Sequence, residues 1–160
     1  PTVKLRFSEL VKNAINVENT KKVSSSSNVR RKTWLTSKKL IKKKWLLGYG
    51  TGISKKALKE QYKKDGYDYM YKKNFNAHNQ FLQVLIDHGL IGFLIFSFYT
   101  FIMFYYSIMK KKFIYSIFLG ILILNFLTES ILETQSGVIF FAFFNTILFF
   151  DCFNLKTLKT

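Results

Sequence analysis

Leu90 to Met109 reads LIGFLIFSFYTFIMFYYSIM and carries no charged residue. An α-helix rises 1.5 Å per residue, so a run of about 20 apolar residues matches a hydrocarbon core of about 30 Å. A buried helix of a soluble protein is the competing reading. A chain of 160 residues cannot surround several such helices on all sides. Lys110-Lys111-Lys112 ends the run sharply. A second apolar run follows from Phe113 to Thr128, then a polar stretch from Glu129 to Gly137 (ESILETQSG), then a third run from Val138 to Phe150. The pattern predicts about three membrane helices, near 90–109, 113–128 and 138–153. The last two are short enough to need tilt or local extension.

Upstream of this region the character reverses. Averaged over the chain, 49% hydrophobic residues and a net charge of +16 would suit a basic globular protein. The two properties are segregated, however. Of 25 Lys and Arg, 20 lie between Lys4 and Lys73, and the Phe, Ile and Leu density lies after Asp87. The expected organisation is a basic loop region with amphipathic helices over 1–88, and a membrane region over 89–160. The fold class is therefore all-α, a fragment of a polytopic helical membrane protein with a helical loop domain outside the membrane. The chain opens at Pro1 with neither an initiator Met nor a signal-peptide pattern, and is read as an excised region of a longer protein. Ser24 to Ser27 reads as a flexible linker. A single cysteine, Cys152, excludes an internal disulfide and a multi-Cys metal site. No metal and no cofactor is expected.

Short loops set the orientation. The triple-Lys turn and the tail with Lys156 and Lys159 belong on the cytoplasmic side, which puts Glu129 to Gly137 and residues 1–88 on the outer face. Long loops translocate largely regardless of charge, so the 20 basic residues upstream do not contradict this.

Within the basic half, Asn28 to Leu47 reads as an amphipathic helix with Trp34, Ile41 and Trp45 on one stripe, among Lys38, Lys39, Lys42, Lys43 and Lys44. Its basic face suits either solvent or a lipid interface with Trp at headgroup depth. Gly48-Tyr49-Gly50-Thr51-Gly52 follows. It has neither the preceding strand of a dinucleotide loop nor the Gly-Lys-Ser/Thr ending of a Walker loop, so it reads as a helix C-cap and tight turn. Ser54 is placed as the cap of a short helix through Tyr62, Asp65 to Tyr71 as an aromatic loop, and Asn76 as the N-cap of a helix from Ala77 to His88. His78 would then lie in a first helical turn close above the membrane. There the helix dipole disfavours imidazolium and leaves a neutral ring able to accept a proton. A structural or surface histidine is the plainer reading of that residue taken alone. His88 has a weaker claim.

The order of these features resembles the O-antigen ligase and O-antigen polymerase superfamily. Arg30-x-x-x-Trp34 opens a helix, Leu47-Gly48-Tyr49-Gly50-Thr51-Gly52 follows, then His78-Asn79-Gln80-Phe81-Leu82, and Asp87-His88-Gly89-Leu90-Ile91-Gly92 starts a membrane helix. The match covers roughly residues 28–95. No single motif is specific, but the ordered set on a membrane hinge is more so. The resemblance implies a multi-pass glycosyltransferase of the bacterial inner membrane. It moves a glycan from an undecaprenyl-diphosphate carrier to a sugar hydroxyl, on lipid A core for a ligase or on another lipid-linked repeat for a polymerase. It implies no nucleotide sugar and no metal, and further membrane helices upstream without which this piece would be inactive.

The carried-over roles are chemically coherent. A guanidinium binds phosphate oxygens bidentately, so Arg30 is the candidate for stabilising the leaving diphosphate. His78 would orient or deprotonate the acceptor hydroxyl. Asn79, Arg31, Trp34 and Glu129 are candidate substrate-binding residues, although Asn79 equally suits fixing the imidazole or supporting the helix turn. Gly48, Gly50 and Gly52 would shape the loop. Glu129 and Glu133, four residues apart, suit either a solvent-facing turn or a partner for Arg30 or the acceptor. A reading from another class is a membrane-anchored basic module that binds anionic lipid or nucleic acid. The expected outer location argues against nucleic acid.

Overall fold

The computed structural model describes residues 26–153, and the residues described are helical with short connections. The sequence expectations for 1–25 and 154–160, including part of the Ser24–Ser27 linker and the Lys156/Lys159 tail, lie outside them. The elements are α1 (Ser26–Lys43), α2 (Thr51–Lys64), α3 (Asp68–Lys73), α4 (Gln80–Met109), α5 (Phe113–Thr128), a 3-10 turn (Ile131–Glu133) and α6 (Gln135–Phe153). Helices α4 and α6 are long and apolar enough to cross a membrane, and α5 is a shorter apolar helix between them. Among the described residues the fold is thus all-α, that of a membrane protein.

The basic half has its own core. Leu40 of α1, Leu58 and Tyr62 of α2, Met70 of α3, Ala77 and Ile86 pack together, all nearly inaccessible. Burying a side chain of this size contributes about 1.5–3 kcal/mol. The stripe expected for α1 is displaced. Its buried positions are Thr33, Thr36, Ser37 and Leu40, spaced as one helical face, while Trp34 stays 38% exposed. Small hydroxylated side chains let α1 lie close to its neighbours, and bulk alone did not reveal that face. Asp65 then fastens α1 to α2: it accepts from Thr36 Oγ1 at 3.0 Å, Lys39 Nζ at 2.7 Å and Gln61 Nε2 at 3.0 Å.

Turn chemistry accounts for the other differences from expectation. Helix α2 starts at Thr51 with Gly50 as its N-cap, not at Ser54, whose hydroxyl bonds back to the Thr51 carbonyl. It ends in a Schellman motif, with Gly66 at φ 71°, Gly66 N–H donating to Lys63 O and Tyr67 N–H to Tyr62 O. The expected aromatic loop contains the short helix α3. Lys110–Lys112 repeats the Schellman pattern between α4 and α5, with Lys111 at φ 55°.

Helix α4 is two arms joined at Gly89, whose φ 63° and ψ −160° are non-helical. The arms fold back on one another. In a straight helix Phe81 and Phe96 would be roughly 22 Å apart along the axis. Their ring centroids lie 5.8 Å apart, and Phe81 also meets Phe93, Phe101 and Phe126. The break frees backbone groups, and the glycine turn takes them up. Tyr49 and Gly50 N–H donate to Ile86 and Asp87 carbonyls at 2.8 Å, while Leu90 N–H donates to Trp45 O at 2.8 Å. Gly48 sits so close that a Cβ would meet the Asp87 carbonyl at 2.6 Å, and a Cβ on Gly89 would overlap the Leu46 carbonyl. Gly52 lies inside α2 with open space around it, so nothing in the loop's shape depends on it.

Candidate active site

The fold-back brings the start of α4 against the end of α5. Asn79, in extended backbone at φ −167°, is the N-cap of α4, and its Oδ1 accepts from Leu82 N–H at 3.0 Å. Its Nδ2 donates to the Leu127 carbonyl at 2.9 Å, and its own N–H donates to Ser130 Oγ. Gln80 Oε1 accepts from Leu132 N–H at 2.9 Å. The His-Asn-Gln triplet therefore clamps the residues on either side of Glu129. Both ends of the Asn79 amide are occupied by this structural work.

His78 stands just outside the helix rather than in its first turn. It adopts φ 46°, supported by its N–H donating to Asn76 Oδ1 at 3.0 Å. It lies one residue before the N-cap, outside the first turn whose free N–H groups carry the positive end of the helix dipole. Its ring instead meets Glu129 directly: Nδ1 lies 2.9 Å from Oε2, while Arg30 Nη2 donates to the other oxygen, Oε1, at 2.8 Å. An ionised carboxylate only accepts, so Nδ1 carries the hydrogen and a neutral ring keeps its lone pair on Nε2. That nitrogen is buried and has no hydrogen-bond partner among the described residues. Phe75 packs against the ring with centroids 5.3 Å apart. Burial works to raise the Glu129 carboxyl, but hydrogen bonds from His78 and Arg30, with their charges, outweigh it and hold it below the ordinary value.

Three sequence candidates far apart in the chain, Arg30, His78 and Glu129, are thus one hydrogen-bonded group. Arg31 and Trp34 are exposed on α1 and join neither of its bonds. Glu133 is separate; it pairs with Lys55 at 3.2 Å. Beside the group lies a cavity of about 140 Å³ lined by Lys55, Leu58, Asn74, Phe75, Asn76, Gln83, Glu133 and Thr134. Sequence reasoning missed the amide-rich lining from Asn74, Asn76 and Gln83. Its only trace was the polar run leading into His78. No metal-holding cluster of His, Cys, Asp and Glu occurs among the described residues.

The O-antigen ligase family matches residues 5–97 of the chain. No curated protein and no solved structure matches it.

Proposed function

Because the chain belongs to the O-antigen ligase family, we propose that it forms part of a membrane glycosyltransferase. This enzyme moves a glycan from an undecaprenyl-diphosphate carrier to a sugar hydroxyl, as on lipid A core, at the outer face of the bacterial inner membrane. The observation that carries the reading is the single carboxylate of Glu129 shared by Arg30 and His78 at 2.8 Å and 2.9 Å. The three apolar helices act as spans, with the triple-Lys turn on the cytoplasmic side.

In this mechanism Glu129 fixes the Nδ1–H tautomer of His78 and steadies the imidazolium that forms. The acceptor hydroxyl gives its proton to Nε2 as its oxygen bonds to the anomeric carbon of the donor. The bond from that carbon to the diphosphate oxygen breaks, and the electron pair leaves with the diphosphate. Arg30 has five N–H donors and spends one of them on Glu129, so its remaining donors can meet the leaving phosphates. Asn74, Asn76 and the Lys55–Glu133 pair offer hydrogen bonds to the hydroxyls of an acceptor sugar, with Phe75 as an apolar wall.

The test is glycan transfer in cells whose chromosomal copy is replaced by His78→Ala or Arg30→Ala. Each is expected to abolish transfer while the protein still inserts. Near-normal transfer by His78→Ala removes it as the base. The undissected knockout sorts the acceptor: polymerised glycan left on the carrier marks a ligase, and single repeats mark a polymerase.

A further inference from the structure

The turn after α1 exposes an apolar cluster that the proposed chemistry does not use. Trp45 is 57% exposed, Leu47 70% and Ile53 61%, and Leu46 beside them is also open. Water-facing surfaces rarely leave several large apolar side chains this open within one short stretch of chain. Its height relative to the spans is set by backbone bonds. Leu90 N–H donates to Trp45 O at 2.8 Å and Ile91 N–H to Leu46 O at 3.4 Å, so the turn lies level with the first residues of the uncharged run 90–109. Directly below, Ile91, Leu94, Ile95 and Phe98 form one exposed helical stripe. The backbone bonds of Leu90 and Ile91 to Trp45 and Leu46 place the cluster at the end of that stripe. Lys42, Lys43 and Lys44 are exposed immediately before it.

From this juxtaposition we propose that the turn is a lipid-interface anchor. Trp45, Leu46, Leu47 and Ile53 enter the headgroup–acyl boundary of the leaflet at this end of the spans, and Lys42–Lys44 meet anionic headgroups. Each residue type suits its level. Indole is amphipathic and collects at membrane interfaces, Leu and Ile belong on the acyl side, and Lys stems lie along apolar surface while their ammonium groups stay in the headgroup layer. The interlock of Gly48 with Gly89 transmits the anchor to both arms of α4 and hence to the clamp that holds Glu129. The inference stands whether or not the protein transfers glycans.

The test uses the whole chain reconstituted in vesicles of phosphatidylcholine and phosphatidylglycerol. Trp34→Phe leaves Trp45 as its one tryptophan. With lipids brominated near the headgroup end of the acyl chains, Trp45 is expected to lose roughly half of its emission. Bromines near the methyl end should remove less, and aqueous acrylamide should remove little. Quenching by acrylamide but not by bromolipid overturns the proposal in favour of a water-facing turn. Quenching by neither overturns it in favour of a protein partner covering the cluster. A nitroxide on Leu47→Cys in a Cys152→Ser background checks the result independently of the tryptophan. It should collide more with oxygen than with a water-soluble nickel chelate, and the reverse order overturns the proposal.

Discussion

At the residue scale, the pair of bonds on Glu129 decides what each partner can do. Glu129→Gln keeps the shape but replaces one carboxylate oxygen with a donating NH2 group, so it can no longer accept from both His78 Nδ1 and Arg30 Nη2 on separate oxygens. Transfer is expected to fall by about 10²–10⁴-fold, the range for a disabled general base, with the loss in kcat rather than KM. The same carboxyl makes stability depend on pH. Its folded value lies below the ordinary 4.5, so the unfolded chain takes up a proton first as pH falls. Its stabilisation is complete above that ordinary value and is lost as pH drops through the folded one. Thermal melts in detergent should show an acid-side fall in Tm that Glu129→Gln flattens. Of the three members, the sequence marked Arg30 and His78 through motif spacing. Glu129 was one option among several, because no local signal tells which carboxylate in a polar turn meets residues 51 and 99 positions away.

At the element scale, the glycines separate into those the packing demands and those it does not. Gly89→Ala places a methyl group in the Leu46 carbonyl at a positive φ, and should destabilise the chain by at least about 2 kcal/mol. Gly48→Ala meets the Asp87 backbone at 2.6 Å and should behave alike. Gly52→Ala lies in a helix with nothing near it, and is expected to stabilise by about 0.5–1 kcal/mol. Denaturant titration of the three variants reads this order, and an equal loss in all three would refute the interlock. The start of α4 shows the limit of local signals. Asn76 and Asn79 are both competent N-caps by residue type. Asn79 wins because its amide also reaches the Leu127 carbonyl, a contact 48 residues away.

At the scale of the whole molecule, the proposal that α4, α5 and α6 all act as spans requires a reason for them to associate in lipid, where the hydrophobic effect between them is absent. One is a polar rung: Tyr115 OH donates to Asn145 Oδ1 at 2.9 Å, and Asn145 Nδ2 donates to Tyr99 OH at 3.1 Å, tying α5, α6 and α4 together. Asn145→Leu removes both bonds and should cost about 1–2 kcal/mol of helix association, measurable by unfolding in mixed micelles. The sequence by itself determined the run of apolar segments, their limits at Lys110–Lys112 and Glu129, the helical class and the order of motifs. Each of these follows from composition or spacing along the chain, which is local information. The tertiary structure alone decided that α4 reverses at Gly89, that the buried face of α1 is Thr33, Thr36, Ser37 and Leu40, and that Glu129 is the carboxylate joining Arg30 to His78. These depend on which backbone groups and side chains meet after the chain has closed on itself. Periodicity marks a face or an end, and only packing selects its partner.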